Sequence, residues 1–568
     1  MAPPTPARSQ FLFHICLLLA LCGVLYFPYL GKVPFFDKGE PREALAVQDI
    51  VQRGEWLFPL KRATTIPSKP PLFHWSAALT YQVTGRLDEG TIRFPSALYA
   101  TLGVLLIYAL GRKLFGAEAG LLAGAVLATT LIYQTQALSA RVDMTLCFFV
   151  TASLVLFYYL YRGFLTDQLW YFVFYALVGI GTLAKGPLGI LLPGLVIASF
   201  LALRRRWDLF AKFCFHPGVV VTLVLAVGWY GLAATRGGEG FVDHQLLREN
   251  LERFAGGSGH SHPVYFYLPY LFSQGLPWSL FLPIALWDGF RRGLFFDDDR
   301  LFTMLWFLVM FFFFSIAMGK RSVYLLPLYP ALALFTAKWF YDQAGATGGR
   351  LAIYRSIAAF AAVSGVLLLI VTLGALWNHD PAWFFAPIER LLKPKDRANL
   401  LVVKTAIAGF GVAFTVAACL SGVLWLATAH SLWLARARSA AHRLVPISIL
   451  MAFVGWSMIL PAIAESKSYR GFMEEVNRRV KPGDKLYMLG GFNDDPVIFY
   501  RGGLIDELAD FSVAATANLG PGKVYIIMAR QSLKRLQQQI PDFPSPILES
   551  AGAGPEGDAP LVLVQVGF

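Results

Sequence analysis

Thirteen apolar runs of about membrane-spanning length dominate this chain of 568 residues, near 11–30, 92–111, 117–136, 144–161, 169–184, 187–203, 217–235, 265–287, 301–318, 322–341, 355–377, 400–428 and 443–463. A helix needs roughly 20 apolar residues to cross a bilayer. In lipid the backbone polar groups must be satisfied within the chain, so runs of this kind fold as helices. Only 15% of the residues are charged and 56% are hydrophobic, whereas a soluble domain carries roughly 25% charged residues. The expected fold class is an α-helical polytopic membrane protein. Its first run, FLFHICLLLALCGVLYFPYL, has no small-residue cleavage site behind a short apolar core, and reads as an uncleaved span. The net charge of +13 comes from bases in short loops between apolar runs. That distribution suits cytoplasmic loops and anionic lipid better than nucleic acid. Cys16, Cys22, Cys147, Cys214 and Cys419 lie in or beside apolar stretches and read as small hydrophobes, not a disulfide framework.

An odd number of spans puts the chain ends on opposite sides of the membrane. With the N-terminus inside, the cytoplasmic loops hold Arg112, Lys113, Arg204–Arg206, Lys212, Arg291, Arg292, Arg436, Arg438 and Arg443, as the positive-inside rule requires. Residues 1–463 then form the transmembrane domain. From 464 to 568 the pattern changes to an amphipathic helix, a Pro482-Gly483 turn and short strands such as KVYIIMA and LVLVQVGF. This predicts a small α/β domain on the outer, periplasmic side.

The same topology gathers the unusual polar residues on that side. The first outside loop holds FFDKGEPREALAVQDIVQRGEW, predicted to form interfacial helices, and then SKPPLFHW. Later loops add Arg141 and Asp143, Lys185, Arg253, His260, His262, and finally Lys320, Arg321 and Tyr324. Ionisable residues at membrane level are costly and mark function by default. Each has a plainer reading too: Asp143 as a helix cap, Lys69 as a snorkelling span end, the first-loop charges as an interfacial helix face, and the histidines as loop residues. A polyprenyl phosphate would make the sharper reading coherent. Lys69, Lys320 and Arg321 supply cations for its head group, which also stabilise charge on a leaving phosphate. Glu40 and Asp143 are the carboxylates able to take a proton from an attacking hydroxyl.

The motifs GEPREALAVQDIVQRGEW, KPPLFHW, ARVDMTL, AKGPLGILLPG and GKRSVYLLPLYPALAL resemble, in order and spacing, the ArnT-like branch of membrane glycosyltransferases, relatives of the protein mannosyltransferases in the GT-C superfamily. The likeness runs over about residues 31–340. It implies transfer of a sugar from an undecaprenyl-phosphate-type carrier to an acceptor (lipid A in the aminoarabinose members, otherwise a glycan or protein) by inverting displacement, in a bacterial inner membrane. It implies catalytic roles for Glu40 and Asp143, and carrier-phosphate contacts for Lys69, Lys320, Arg321 and Tyr324. Arg253 and His262 fall in the matching long loop. Many members carry Asp where this chain has Gly39, which leaves Glu40 to serve alone or Asp37 to substitute. Members with a metal near KPP carry Glu where this chain has Ser68, so the expectation is that no metal or other cofactor is required. The alternatives are a lipid or lipid-sugar flippase, whose polar groups would line the midplane, and a silent lipid-binding scaffold.

Overall fold

The computed structural model describes residues 8–241 apart from 63, then 243, 245, 262–291, 297–342, 349–392, 394–481, 483–508, 523–540, 543–552, 554 and 560–567. Its first part is a helical bundle: α1 (Arg8–Leu25), α2 (Glu40–Arg53), α3 (Leu72–Thr84), α4 (Glu89–Phe115), α5 (Ala117–Thr129), α6 (Leu131–Ala137), α7 (Val142–Tyr161), α8 (Gln168–Lys185), α9 (Leu188–Leu203), α10 (Trp207–Cys214) and α11 (Val219–Phe241). Among the described residues nine helices are long and apolar enough to cross a membrane. The number is ten if α5 and α6, bent by 64° to each other, make one span. Their outward faces carry exposed Leu, Val, Phe and Trp, as a lipid-facing surface should.

Besides the bent pair α5 and α6, two further expected runs are subdivided. The 265–287 run becomes the helices Tyr267–Gln274 and Leu282–Arg291 with a 3-10 turn at Trp278–Phe281 between them. Gly275 and Pro277 account for the break, since proline brings no N–H to the ladder. The 400–428 run divides into Pro394–Gly409 and Gly411–Trp433 about a non-helical Phe410, where two weak helix formers flank the joint.

Both first-loop helices have clear local causes. At the start of α2, Asp37 Oδ1 accepts from the N–H groups of Gly39 and Glu40, each at 2.8 Å. Pro41 occupies the first turn and Gly54, at φ 70°, ends the helix. The helix α3 follows Pro70-Pro71 and ends at Gly85, and α4 is capped by Asp88, which accepts from the Thr91 N–H at 2.8 Å.

The C-terminal residues build a five-stranded sheet from β1 (Lys485–Leu489), β2 (Asp506–Leu508), β3 (Lys523–Ala529), β4 (Pro546–Glu549) and β5 (Leu561–Gly567), in the order β2-β1-β3-β5-β4. The β1 strand runs parallel to β2 and β3, while β5 is antiparallel to β3 and β4. Period-two alternation divides β3 between two cores. Val524, Ile526 and Met528 pack on the helix Arg530–Gln539. Tyr525 and Ile527 join a second core that also contains Phe472 and Met473, Val497 to Phe499, and residues of the first loop: Phe35, Leu45, Val47, Ile50, Phe73 and Ala77. The α2 helix therefore lies between the bundle and the sheet unit, not free at a lipid surface. The expected boundary at 463/464 falls inside the helix Leu460–Lys467.

Candidate active site

Acids and bases from α2, α3, α4, α7 and α8, with Tyr324 of the 3-10 helix Ser322–Leu328, meet at one end of the bundle. Asp37, which caps α2, also takes a bond from Arg141 Nη2 at 2.8 Å. Both side chains are about a third exposed, at 31% and 29%. Arg141 is extended backbone just before α7, and Asp143 opens that helix. Asp143 forms an ion pair with Lys185, the last residue of α8. The Lys185 ammonium lies 4.5 Å from the centre of the Tyr324 ring, a cation–π arrangement. Asp143, Lys185 and Tyr324 line one small void with Leu146, Leu188 and Phe314. Besides Lys185, the cations acting on Asp143 are Arg141 and Lys69.

Glu43 lies one helical turn beyond Glu40 and accepts from His74 Nε2 of α3 at 2.7 Å. His74 is fully buried. Burial pushes the Glu43 carboxyl up, but its bond to His74 and the charges of His74, Arg141 and Lys69 outweigh this and hold it below its ordinary value. Asp37 behaves alike: burial opposes its charge, yet Arg141 and the Gly39 and Glu40 N–H groups bring it below the usual range.

Glu40, an expected catalytic acid, stands elsewhere in this network. Arg93 Nε and Nη2 donate to its two oxygens at 2.7 Å each, and the Ala140 N–H adds a bond at 2.8 Å. Arg93 also donates to the carbonyls of Leu30 and Val33. The side chains are only 5% (Glu40) and 2% (Arg93) exposed. This bidentate, enclosed pair joins the first loop to α4 and to the α6–α7 turn. Both Glu40 oxygens are thus taken up by Arg93.

Lys69 reaches the cluster through its charge on Glu43 and Asp143. Lys320 is 3% exposed and donates to the carbonyls of His262 and Ala317, so it ties the chain entering the helix Tyr267–Gln274 to the end of the helix Asp298–Ile316. Burial pushes its ammonium below the usual lysine range. Arg321 precedes the 3-10 helix Ser322–Leu328, and its carbonyl accepts from the Tyr324 N–H at 3.0 Å. The His262 ring stacks on Phe266 with centroids 4.3 Å apart. Arg253 and His260 lie outside the described residues. Among the described residues no three His, Cys, Asp or Glu side chains converge as metal ligands do.

Sequence reasoning placed Arg141 and Lys185 on this face without a role, and missed Glu43, His74 and Arg93. Arg93 left a signal: an arginine inside an apolar span must have a buried partner. His74 left none, since its partner is 31 positions away.

Two predictions arise here. A carboxyl whose folded pKa is depressed contributes stability that is complete above its unfolded value and lost as pH falls through the folded one. Thermal unfolding of the wild type is therefore expected to stay level as pH falls from 7 to about 5 and to drop only below about 4, near the ordinary carboxylate values. A Glu43→Gln variant should show a smaller drop. Separately, a Cβ placed on Gly39 would overlap the Arg141 guanidinium. Gly39→Ala should push that flexible group off Asp37, lowering turnover by about tenfold or more, the scale of one charge-assisted bond, with the melting temperature little changed.

A family model described as dolichyl-phosphate-mannose-protein mannosyltransferase matches residues 68–230. An "Uncharacterized protein" of Aquifex aeolicus is 28% identical over 323 residues, covering 56% of this chain and 62% of that protein. The undecaprenyl phosphate-alpha-4-amino-4-deoxy-L-arabinose arabinosyl transferase of Pectobacterium atrosepticum is 27% identical, covering 68% of this chain and 69% of that enzyme. The crystal structure of ArnT from Cupriavidus metallidurans bound to undecaprenyl phosphate superposes with a TM-score of 0.76 at 20% identity, over 98% of each chain. The chain has the fold of that structure, with at least nine membrane-length apolar helices among its described residues, and it is similar in sequence to membrane sugar transferases while spanning about two thirds of the length of these curated relatives. Both in sequence and in fold the likeness is to ArnT-named proteins.

Proposed function

We propose that this protein transfers a sugar from a polyprenyl-phosphate carrier to an acceptor at the periplasmic face by inverting displacement. The observation that carries the reading is the convergence of Asp143, Lys185 and Tyr324 on one void at the end of the bundle, with Arg141 and Lys69 beside them. Lys69, Lys185 and Arg321 are the cations suited to the carrier phosphate, and would stabilise the charge that grows on it as the glycosidic bond breaks. Tyr324 offers a hydroxyl and a ring face. Asp143 takes the proton of the attacking group or orients it, and Asp37, about a third exposed, is the second candidate carboxylate. Glu40 holds the scaffold. The ArnT-named relatives support undecaprenyl phosphate as the carrier class.

The side follows from charge. The ends of α4, α7 and α9 remote from the site carry Arg112 and Lys113, Arg162, and Arg204 to Arg206, which suits a cytoplasmic face. The unit from 464 onward then lies with the site in the periplasm, on top of the first loop. The site charges gather at one bundle end and not at the midplane, unlike a transporter. The test is reconstitution of the purified chain with a panel of undecaprenyl-phosphate sugars, following release of undecaprenyl phosphate. Release with at least one donor is expected; no release across the panel and a range of lipid, glycan and peptide acceptors would reject the reading.

A further inference from the structure

The 57–71 stretch crosses from α2 to α3 as a strap that delivers Lys69 to the site. Its two ends are tied to the bundle side: Trp229 Nε1 donates to the Leu57 carbonyl at 3.0 Å, and Gln245 Nε2 to the Pro67 carbonyl at 2.7 Å. Its middle is a turn in which Lys61 and Thr65 exchange backbone bonds at 2.8 Å. The tip of that turn is gripped by the C-terminal unit. Arg62 Nε and Nη2 donate to Asp495 Oδ1 at 3.1 and 2.6 Å, Nη2 also reaches Asp494, and Lys61 Nζ pairs with Asp495 at 2.9 Å. The Asp495 side chain is 3% exposed. Arg62 holds φ at 58°, a left-handed conformation that glycine takes far more readily. What the arginine adds at that position is its side chain's grip on Asp494 and Asp495.

We infer that Asp494 and Asp495 are positioning residues of the transfer site: the latch they form with Lys61 and Arg62 lets the C-terminal unit set where Lys69 stands. This rests on the reading above in giving Lys69 the carrier phosphate. The latch joins segments more than 430 positions apart, and the apolar core shared by Phe35, Ile50, Val497 and Phe499 makes the seat behind it rigid. Lys69 in turn lies where its charge acts on both Glu43 and Asp143. Loosening the latch should thus weaken phosphate binding without touching a residue that contacts the phosphate.

Arg62→Gly in the full chain is the informative variant, because glycine favours the same backbone while Lys61 keeps Asp495 paired. Its binding of undecaprenyl phosphate is expected to weaken at least tenfold, and amide hydrogen exchange over 57–69 to speed up while that of α7 and α8 does not change. Asp494→Asn, which removes one grip and leaves Asp495 paired, should move both readouts in the same direction. Arg62→Asp combined with Asp494→Arg should recover most of the binding lost in Arg62→Asp alone. Binding within twofold of wild type in folded Arg62→Gly and Asp494→Asn, unaltered exchange over 57–69, or no recovery on the charge swap would each overturn the latch. Wild type that binds the carrier in a latch-dependent way yet transfers no sugar would sink the proposed function and leave the latch. Transfer by wild type, with variants that bind and exchange as it does, would do the reverse.

Discussion

Glu40→Gln is expected to cost this protein about 3–5 kcal/mol of stability, the scale for removing one partner of a buried ion pair. The guanidinium of Arg93, 2% exposed and held by both Glu40 oxygens, would be left with one amide oxygen and the carbonyls of Leu30 and Val33. Those accept its hydrogen bonds but do not neutralise its charge. The Ala140 N–H, at the turn that leads into α7, would keep only an amide oxygen as its acceptor. The measurement is the melting temperature in detergent, read beside Asp37→Asn. Asp37 is about a third exposed, so its loss should affect stability far less and turnover more. A Glu40→Gln protein as stable as wild type but inactive would return Glu40 to a chemical role and remove it from the scaffold.

Asp143→Asn is expected to lower sugar transfer by about 10²–10⁴-fold, the range that a positioned general base contributes. Carrier binding should persist or tighten. The reason lies in the pairing: Asp143 neutralises Lys185, and an amide there leaves the lysine charge for the phosphate. The same isostere keeps the shape of the void between Leu146, Leu188 and Tyr324. Single-turnover release of undecaprenyl phosphate, with binding measured separately, distinguishes the two effects. Turnover close to wild type would exclude Asp143 as base or acceptor-orienting group. Weaker carrier binding at unchanged turnover would make it a binding residue.

Much of this could be read before any coordinates. The apolar runs announced a helical membrane protein because lipid leaves a backbone no other way to satisfy itself, and the interrupted, strand-like pattern after 464 announced a small α/β unit. The motifs around Glu40, Lys69, Asp143 and Tyr324 pointed to one face. The partners of these residues could not be read. Glu40 and Asp143 look alike in sequence, as acids at helix starts outside apolar runs. Yet Glu40 is enclosed by Arg93, 53 positions away, whereas Asp143 pairs with Lys185, 42 positions away, beside the void. Lys320 looked like a phosphate contact and is found holding two carbonyls.

Period, length and local chemistry are properties of neighbouring residues, so composition and order along the chain already dictated the spans, the helix starts at Asp37 and Asp88, and the alternating faces of β3. Which charge meets which is a property of distance through space. It needed the folded bundle to bring Arg93 onto Glu40, His74 onto Glu43 and Lys185 onto Asp143, and to carry Asp495 to Arg62 from the far end of the chain. In a low-dielectric setting those meetings decide whether a carboxylate is sealed into the scaffold or left facing a substrate, and no pattern along a single strand of residues encodes them.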